Sequence, residues 1–186
     1  GQGKKPQIVP LTQKYSLSGG MISAVDLLKG IGTIAGLKVC PVQGATGYID
    51  TNYEGKAKMA LDVLNFMDFV FVHLEAPDEM GHEDNAEGKI RAIELFDEKI
   101  VGPILTKIGA FGHYRIIVLS DHPTPLDLRT HVSDPSPFAV LSSEKKENRA
   151  PGMSFNEINA KAGNLLISPG HLLMEKFIKD WKSVVG

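Results

Sequence analysis

Two short apolar runs, Phe69-Val70-Phe71-Val72-His73-Leu74 and Arg115-Ile116-Ile117-Val118-Leu119, constrain this chain more than any other feature. Each is too short for a stable helix of its own and rich in β-branched or aromatic side chains, the pattern of a strand buried on both faces. Between them Ile90, Ile93, Phe96 and Ile100 recur at helical spacing as far as Pro103, and Asp84 stands three residues before Glu87 as an N-terminal cap. Strand, helix and strand in this order predict an α/β domain with a mostly parallel sheet.

The remaining segments fit that plan. Ile22, Val25 and Leu28 predict a helix over 22–34 that stops at Gly36, followed by a short strand over 38–42. Residues 44–52 carry turn chemistry, and a helix is expected from about Gly55 to Met67. A loop is expected from Glu75 to Asp84, a strand over 137–141, a polar surface loop over 142–151 that includes Lys145-Lys146, and a closing helix from Pro169 to Val184. Cys40 reads as a small buried hydrophobe.

Composition removes several classes of function. At 186 residues the chain has room for one domain of ordinary size, taken here as 1–186. Lys and Arg total 20 against 22 Asp and Glu, so nothing marks a protein that coats nucleic acid or an anionic membrane. A single cysteine forbids an intrachain disulfide, and no apolar stretch is long enough to span a bilayer. A reduced, cytoplasmic setting is the expectation. The opening Gly1-Gln2-Gly3-Lys4-Lys5-Pro6 has no initiator Met and no signal pattern, and reads as the interior of a longer chain.

Ligands of open α/β sheets bind beyond the carboxyl ends of the strands, and both strong strands end in metal-ligand residue types. The first is followed by Asp78-Glu79-Met80-Gly81-His82, in which a carboxylate and an imidazole four apart share one side if the backbone makes a helical turn. The second ends at Asp121-His122, with His131 nine residues beyond His122. Oxygen and nitrogen donors without a thiolate suit Mn²⁺, Zn²⁺ or Mg²⁺, and these five residues suffice for one complete site and part of another. His73 reads as a hydrogen-bonded strand residue, and His113 and His171 as solvated boundary residues. Gly44-Ala45-Thr46-Gly47 lacks the Gly-Lys-Ser/Thr ending of a phosphate loop. Lys4, Lys5, Lys56 and Arg129 are cations available to a phosphate, as on any surface.

In order along the chain, Ala76-Pro77-Asp78-Glu79-Met80-Gly81-His82, Ser120-Asp121-His122 and His131-Val132-Ser133-Asp134-Pro135-Ser136-Pro137-Phe138 resemble the metal-binding half of cofactor-independent phosphoglycerate mutase. Gly1 to Pro6, Gly44 to Tyr48 and Asn52 to Lys56 are similar to segments of its archaeal-type branch. The resemblance implies the three-layer αβα fold of the alkaline phosphatase superfamily and two divalent metals, Mn²⁺ or Zn²⁺ with Mg²⁺ as a third candidate, without a bisphosphoglycerate cofactor. Asp78, His82 and His131 would hold one metal, and Asp121 and His122 the other. The implied parent reaction interconverts 3-phosphoglycerate and 2-phosphoglycerate through a phosphoserine, with a small phosphorylated metabolite as partner. Its nucleophilic Ser and inserted second domain are expected upstream of Gly1, since Ser16, Ser18 and Ser23 lack the family's nucleophile context. This C-terminal portion is then expected to be inactive alone and open to self-association through exposed sheet edge. Pro123-Thr124-Pro125 stands where better-known bacterial mutases carry a Gly-Asn turn, which fits the archaeal-type branch; because that branch also includes homoserine kinase-like and phosphonopyruvate decarboxylase-like proteins, a homoserine kinase-like phosphotransferase is an alternative, and a superfamily phosphatase or sulfatase another. A non-catalytic metal-binding module is the alternative from another class.

Overall fold

A computed structural model describes Lys4, residues 6–144 and residues 153–185. Gly1 to Gly3 and Lys5 of the opening segment, and Lys145-Lys146 with the rest of the polar loop through Pro151, lie outside the described residues. The chain divides into two compact units, one formed by residues 1–111 with 124–130, the other by residues 112–123 with 131–186.

In the first unit α1 (Leu11–Tyr15) precedes β1 (Gly19–Ile22), α2 (Asp26–Ile34), β2 (Lys38–Val39), α3 (Tyr53–Leu64) and β3 (Phe69–Val72). The strands form a parallel sheet in the order β2-β1-β3, with Gly20 opposite Lys38 and Val70, and Ile22 opposite Val72. Helix α2 thus joins the parallel neighbours β1 and β2, α3 crosses from β2 over β1 to β3, and the expected α/β class with a parallel sheet is what the chain adopts.

The central strand β1 is absent from the sequence reading. The spacing predicts Ile22 as the first helical residue, but it is the last residue of β1 and is 1% exposed. Gly19-Gly20 suggests a turn in sequence, yet these glycines serve close packing: a Cβ on Gly20 would stand 2.7 Å from Val63 Cγ1 of α3. The helix that follows begins only at Asp26, and Gly36 at φ 82° follows its end as expected. The 38–42 strand shortens to Lys38–Val39, although the Cys40 N–H still bonds the Met21 carbonyl at 2.8 Å and Cys40 is buried. The third helix starts at Tyr53, where the Asn52 side chain accepts from the Gly55 N–H and caps the first turn. Ile22, Cys40, Ala60 and Val63 form one core cluster, and Tyr53, Leu95 and Ile100 a second.

Glu75 to Asp84 is not a loop. Residues Ala76–His82 form α4, which tolerates Pro77 because the first turn has no intrahelical use for that missing N–H. The next helix, α5 (Ala86–Phe96), is capped by Asn85 rather than Asp84, since the Asn85 side chain accepts from the Gly88 N–H at 2.8 Å while Asp84 takes a left-handed φ of 55°. Nor does the helical path stop at Pro103. A π-helical turn over Asp97–Val101 leads into α6 (Gly102–Lys107), and this wider turn relaxes the hydrogen-bond ladder just where a proline removes a donor.

In the second unit β4 (Arg115–Leu119) matches its expected bounds and pairs antiparallel with β5 (Phe138–Ser142), Arg115 opposite Ser142 and Leu119 opposite Phe138. Helix α7 (Glu157–Ala162) forms in a stretch for which the sequence pattern predicts no regular element. The closing helix divides into a 3₁₀ turn (Gly170–Leu172), α8 (Leu173–Lys179) and α9 (Lys182–Val185), with Asp180 at φ −133° between the last two. Arg115 secures α8 by donating Nη1 to the Phe177 and Ile178 carbonyls at 3.1 and 3.0 Å, which satisfies acceptors that a helix C-terminus leaves open. Its guanidinium also lies 5.3 Å from the ring centroid of Trp181, which is buried. Among the described residues no helix is long and apolar enough to cross a membrane.

Candidate metal centre

Helix α4 leaves β3 after only three residues, so its side chains stand at the carboxyl end of the parallel sheet. One helical turn separates Asp78 from His82 and brings Asp78 Oδ2 to 3.3 Å from His82 Nε2. The sequence-predicted pair is therefore formed. On the other side of the imidazole, His82 Nδ1 lies 2.9 Å from the Arg129 carbonyl oxygen. A carbonyl only accepts, so Nδ1 carries the proton and donates it. In the neutral ring Nε2 then presents its lone pair toward the carboxylate. Two acceptors that face each other repel unless a proton or a metal cation stands between them. The Arg129 carbonyl bond, opposed by desolvation and followed by the Asp78 and Glu79 charges, raises the His82 pKa above its ordinary value. This donor set fits a divalent metal: one carboxylate oxygen and one imidazole nitrogen converge, and the imidazole tautomer is fixed by a backbone acceptor.

The segment 124–130 is held against α4 and α5 by named bonds. Thr124 Oγ1 donates to Asp78 Oδ1, and the Lys89 ammonium donates to the Thr124 carbonyl at 2.7 Å. Arg129, at φ 52°, places Nη2 2.5 Å from Asp84 Oδ2. Gly81 makes the approach feasible, because a Cβ there would sit 2.7 Å from the Thr124 carbonyl oxygen. Thr124 is buried and Arg129 largely exposed. Neither was singled out as a support of the metal ligands in sequence; the prolines flanking Thr124 are the one local signal, since they bias it toward extended backbone.

In the second unit the chain turns at the end of β4. Asp121 Oδ1 accepts from the His122 N–H at 3.1 Å, its Oδ2 lies 3.5 Å from His122 Nε2, and Ser120 Oγ donates to the His122 carbonyl at 2.8 Å. The His122 and His131 rings stack with centroids 3.7 Å apart, and the Val132 N–H bonds the Pro123 carbonyl at 3.1 Å. Asp121, His122 and His131 are thus gathered in one unit, and Asp78 and His82 in the other.

The remaining sequence candidates fall elsewhere. His73 follows β3 and contacts Ser23 and Glu75, in keeping with a hydrogen-bonded strand-end residue. Lys56, grouped above with surface cations, is 1% exposed, because α3 directs it under the sheet end instead of outward. Ser18 Oγ is committed to Asp68 at 2.7 Å.

The chain is similar to several known proteins. A 2,3-bisphosphoglycerate-independent phosphoglycerate mutase of Methanosarcina barkeri is 51% identical over 166 residues, which are 89% of this chain and 42% of that protein. A solved protein of Pyrococcus horikoshii superposes with a TM-score of 0.77 at 30% identity, covering 86% of this chain and 48% of that one. The cofactor-independent phosphoglycerate mutase of Thermoplasma acidophilum, at 23% identity and a TM-score of 0.59 over 87% of this chain and 36% of that one, shares the fold. The chain spans less than half the length of the curated relatives it matches. The family description "Metalloenzyme superfamily" matches residues 1–176, nearly the whole of the sequence, and the chain belongs to that superfamily.

Proposed function

We propose that this chain is the metal-binding portion of a cytoplasmic phosphotransferase whose parent interconverts 3-phosphoglycerate and 2-phosphoglycerate. Asp78, His82 and His131 are assigned to one divalent metal, and Asp121 and His122 to a second. The observation that carries the reading is the Asp78–His82 pair, whose imidazole tautomer is set by the Arg129 carbonyl. Kinship with mutases at up to 51% identity supplies the substrate class, a small phosphorylated hydroxy acid.

A bound divalent metal polarises phosphoryl oxygens and favours the alkoxide form of an attacking hydroxyl. The chain's own residues prepare for this. Asp78 brings negative charge to the end of β3, Thr124 holds one of its oxygens by hydrogen bond, and His82 directs Nε2 toward the Asp78 carboxylate. Ser23 is buried and Ser18 is engaged by Asp68, so neither is assigned as nucleophile. The attacking hydroxyl is placed in the part of the parent that this chain does not span, and residues 1–186 alone are expected to be inactive. Mn²⁺, Zn²⁺ and Mg²⁺ all suit the donor set.

The test is a chimera in which residues 1–176 replace the matching segment of the Methanosarcina barkeri protein. Conversion of 3-phosphoglycerate to 2-phosphoglycerate, lost in the Asp78→Asn chimera, is the expected result. A folded, metal-loaded chimera that phosphorylates homoserine from ATP, releases free phosphate faster than it isomerises, or does nothing would contradict it.

A further inference from the structure

Among the described residues, a second polar cluster lies where β1 and β3 end. Ser23, immediately after β1, is 5% exposed, and its Oγ is 3.4 Å from His73 Nδ1. On the other side of that ring, His73 Nε2 lies 3.1 Å from Glu75 Oε2. Lys56 reaches the group from the first turn of α3 and donates Nζ to the His73 carbonyl at 3.1 Å. At 1% exposure it is among the largest fully buried side chains of the chain. Burial pulls its pKa down to about 8, against the opposing pull of Glu75.

An ammonium this deeply buried opposes folding unless something is gained, and an apolar side chain of similar volume would fill the space at lower cost. Its location indicates the gain. The carbonyl that Lys56 grips belongs to the three-residue link, His73 to Glu75, between β3 and α4. The Asp78 N–H bonds the Glu75 carbonyl at 2.8 Å, so the link also defines the first turn of α4.

We infer that Lys56 is a positioning residue: anchored on the His73 carbonyl, with Glu75 as counter-charge, it fixes the β3–α4 link so that Asp78 and His82 stand as a preformed chelate for a divalent cation. The inference rests on the metal reading of the preceding section. It differs from a purely structural role in a measurable way, because removal of the buried charge relieves a desolvation cost while it loosens the chelate.

The experiment titrates the metal-stripped full chain with Mn²⁺ by calorimetry as wild type, Lys56→Met and Glu75→Gln, and follows thermal unfolding of each without metal. The expected result is saturable binding in the wild type, about tenfold weaker in Lys56→Met, as for other groups that orient metal ligands. The metal-free unfolding midpoint of Lys56→Met is expected to equal or exceed that of the wild type. Equal affinity in Lys56→Met overturns the inference alone, and so does an affinity loss that merely accompanies a lowered midpoint. No saturable binding by the wild type overturns the metal reading itself. Should Lys56→Met fail to fold, Glu75→Gln decides: weaker binding at an unchanged midpoint supports the inference, and unchanged binding overturns it.

Discussion

His82 donates its Nδ1–H to the Arg129 carbonyl at 2.9 Å while its Nε2 stands 3.3 Å from Asp78 Oδ2. The imidazole is thereby committed on one side, and its second nitrogen can serve only a proton or a metal shared with the carboxylate. Everything proposed for the centre depends on how firmly this arrangement is held.

Gly81 controls how closely the 124–130 segment approaches α4. Gly81→Ala would put a methyl 2.7 Å from the Thr124 carbonyl oxygen, a backbone atom that cannot rotate away. The variant is expected to lose about 1–3 kcal/mol of stability in urea unfolding, in the range of overpacked interiors. Its Mn²⁺ affinity is expected to fall as the Thr124–Asp78 bond is strained. A variant with unchanged stability would show that this contact relaxes freely.

Thr124→Val keeps the shape of the side chain and deletes the donor to Asp78 Oδ1. Hydrogen bonds to charged acceptors are worth about 1.5–3 kcal/mol, so a loss near the lower end is expected for the partly exposed carboxylate. Urea unfolding of the metal-free chain measures it, and a cost indistinguishable from zero would mean that water replaces the hydroxyl.

Lys56 gives a pH signature. Its folded pKa is about 8 against an ordinary 10.5. Between these values the unfolded chain binds more protons than the folded one, so stability rises with pH across that window. The full gain is on the order of 3 kcal/mol, and it should be absent from Lys56→Met. Denaturation of both proteins from pH 7 to 10.5 checks this, and parallel curves would place Lys56 in water.

Ile22 closes the core at the end of β1. At 1% exposure, packed with Ala60 and Val63, it should cost about 2–5 kcal/mol when cut to alanine. Chemical denaturation measures the loss, and less than about 1 kcal/mol would mean that the site collapses around the missing atoms.

What could be read in the sequence was local. The runs at Phe69 and Arg115 announce strands through their β-branched and aromatic side chains, and β4 keeps its expected bounds, but the expected burial on both faces is not met: no residue of either strand is fully buried, and Phe71 and Leu119 are 40% and 43% exposed. The i,i+4 pair at Asp78 and His82 was legible because helical geometry alone brings it together, even though Pro77 and Gly81 made its helix look like a loop. The central strand β1 was not legible, since Gly19-Gly20 is selected by the close approach of neighbouring elements and carries no strand propensity. Thr124, Arg129 and Lys56 were invisible as supports for the same reason: their partners lie 46, 47 and 17 residues away in the chain, and only the fold brings them within hydrogen-bond distance.

Calorimetric titration of the metal-stripped chain with Mn²⁺ and Zn²⁺, repeated on Asp78→Ala and Asp121→Ala, tests the central claim most directly. One saturable site that vanishes in Asp78→Ala and persists in Asp121→Ala is the predicted result, and identifies the centre built on α4. No saturable binding by the unmutated chain, or binding indifferent to Asp78→Ala, would contradict it.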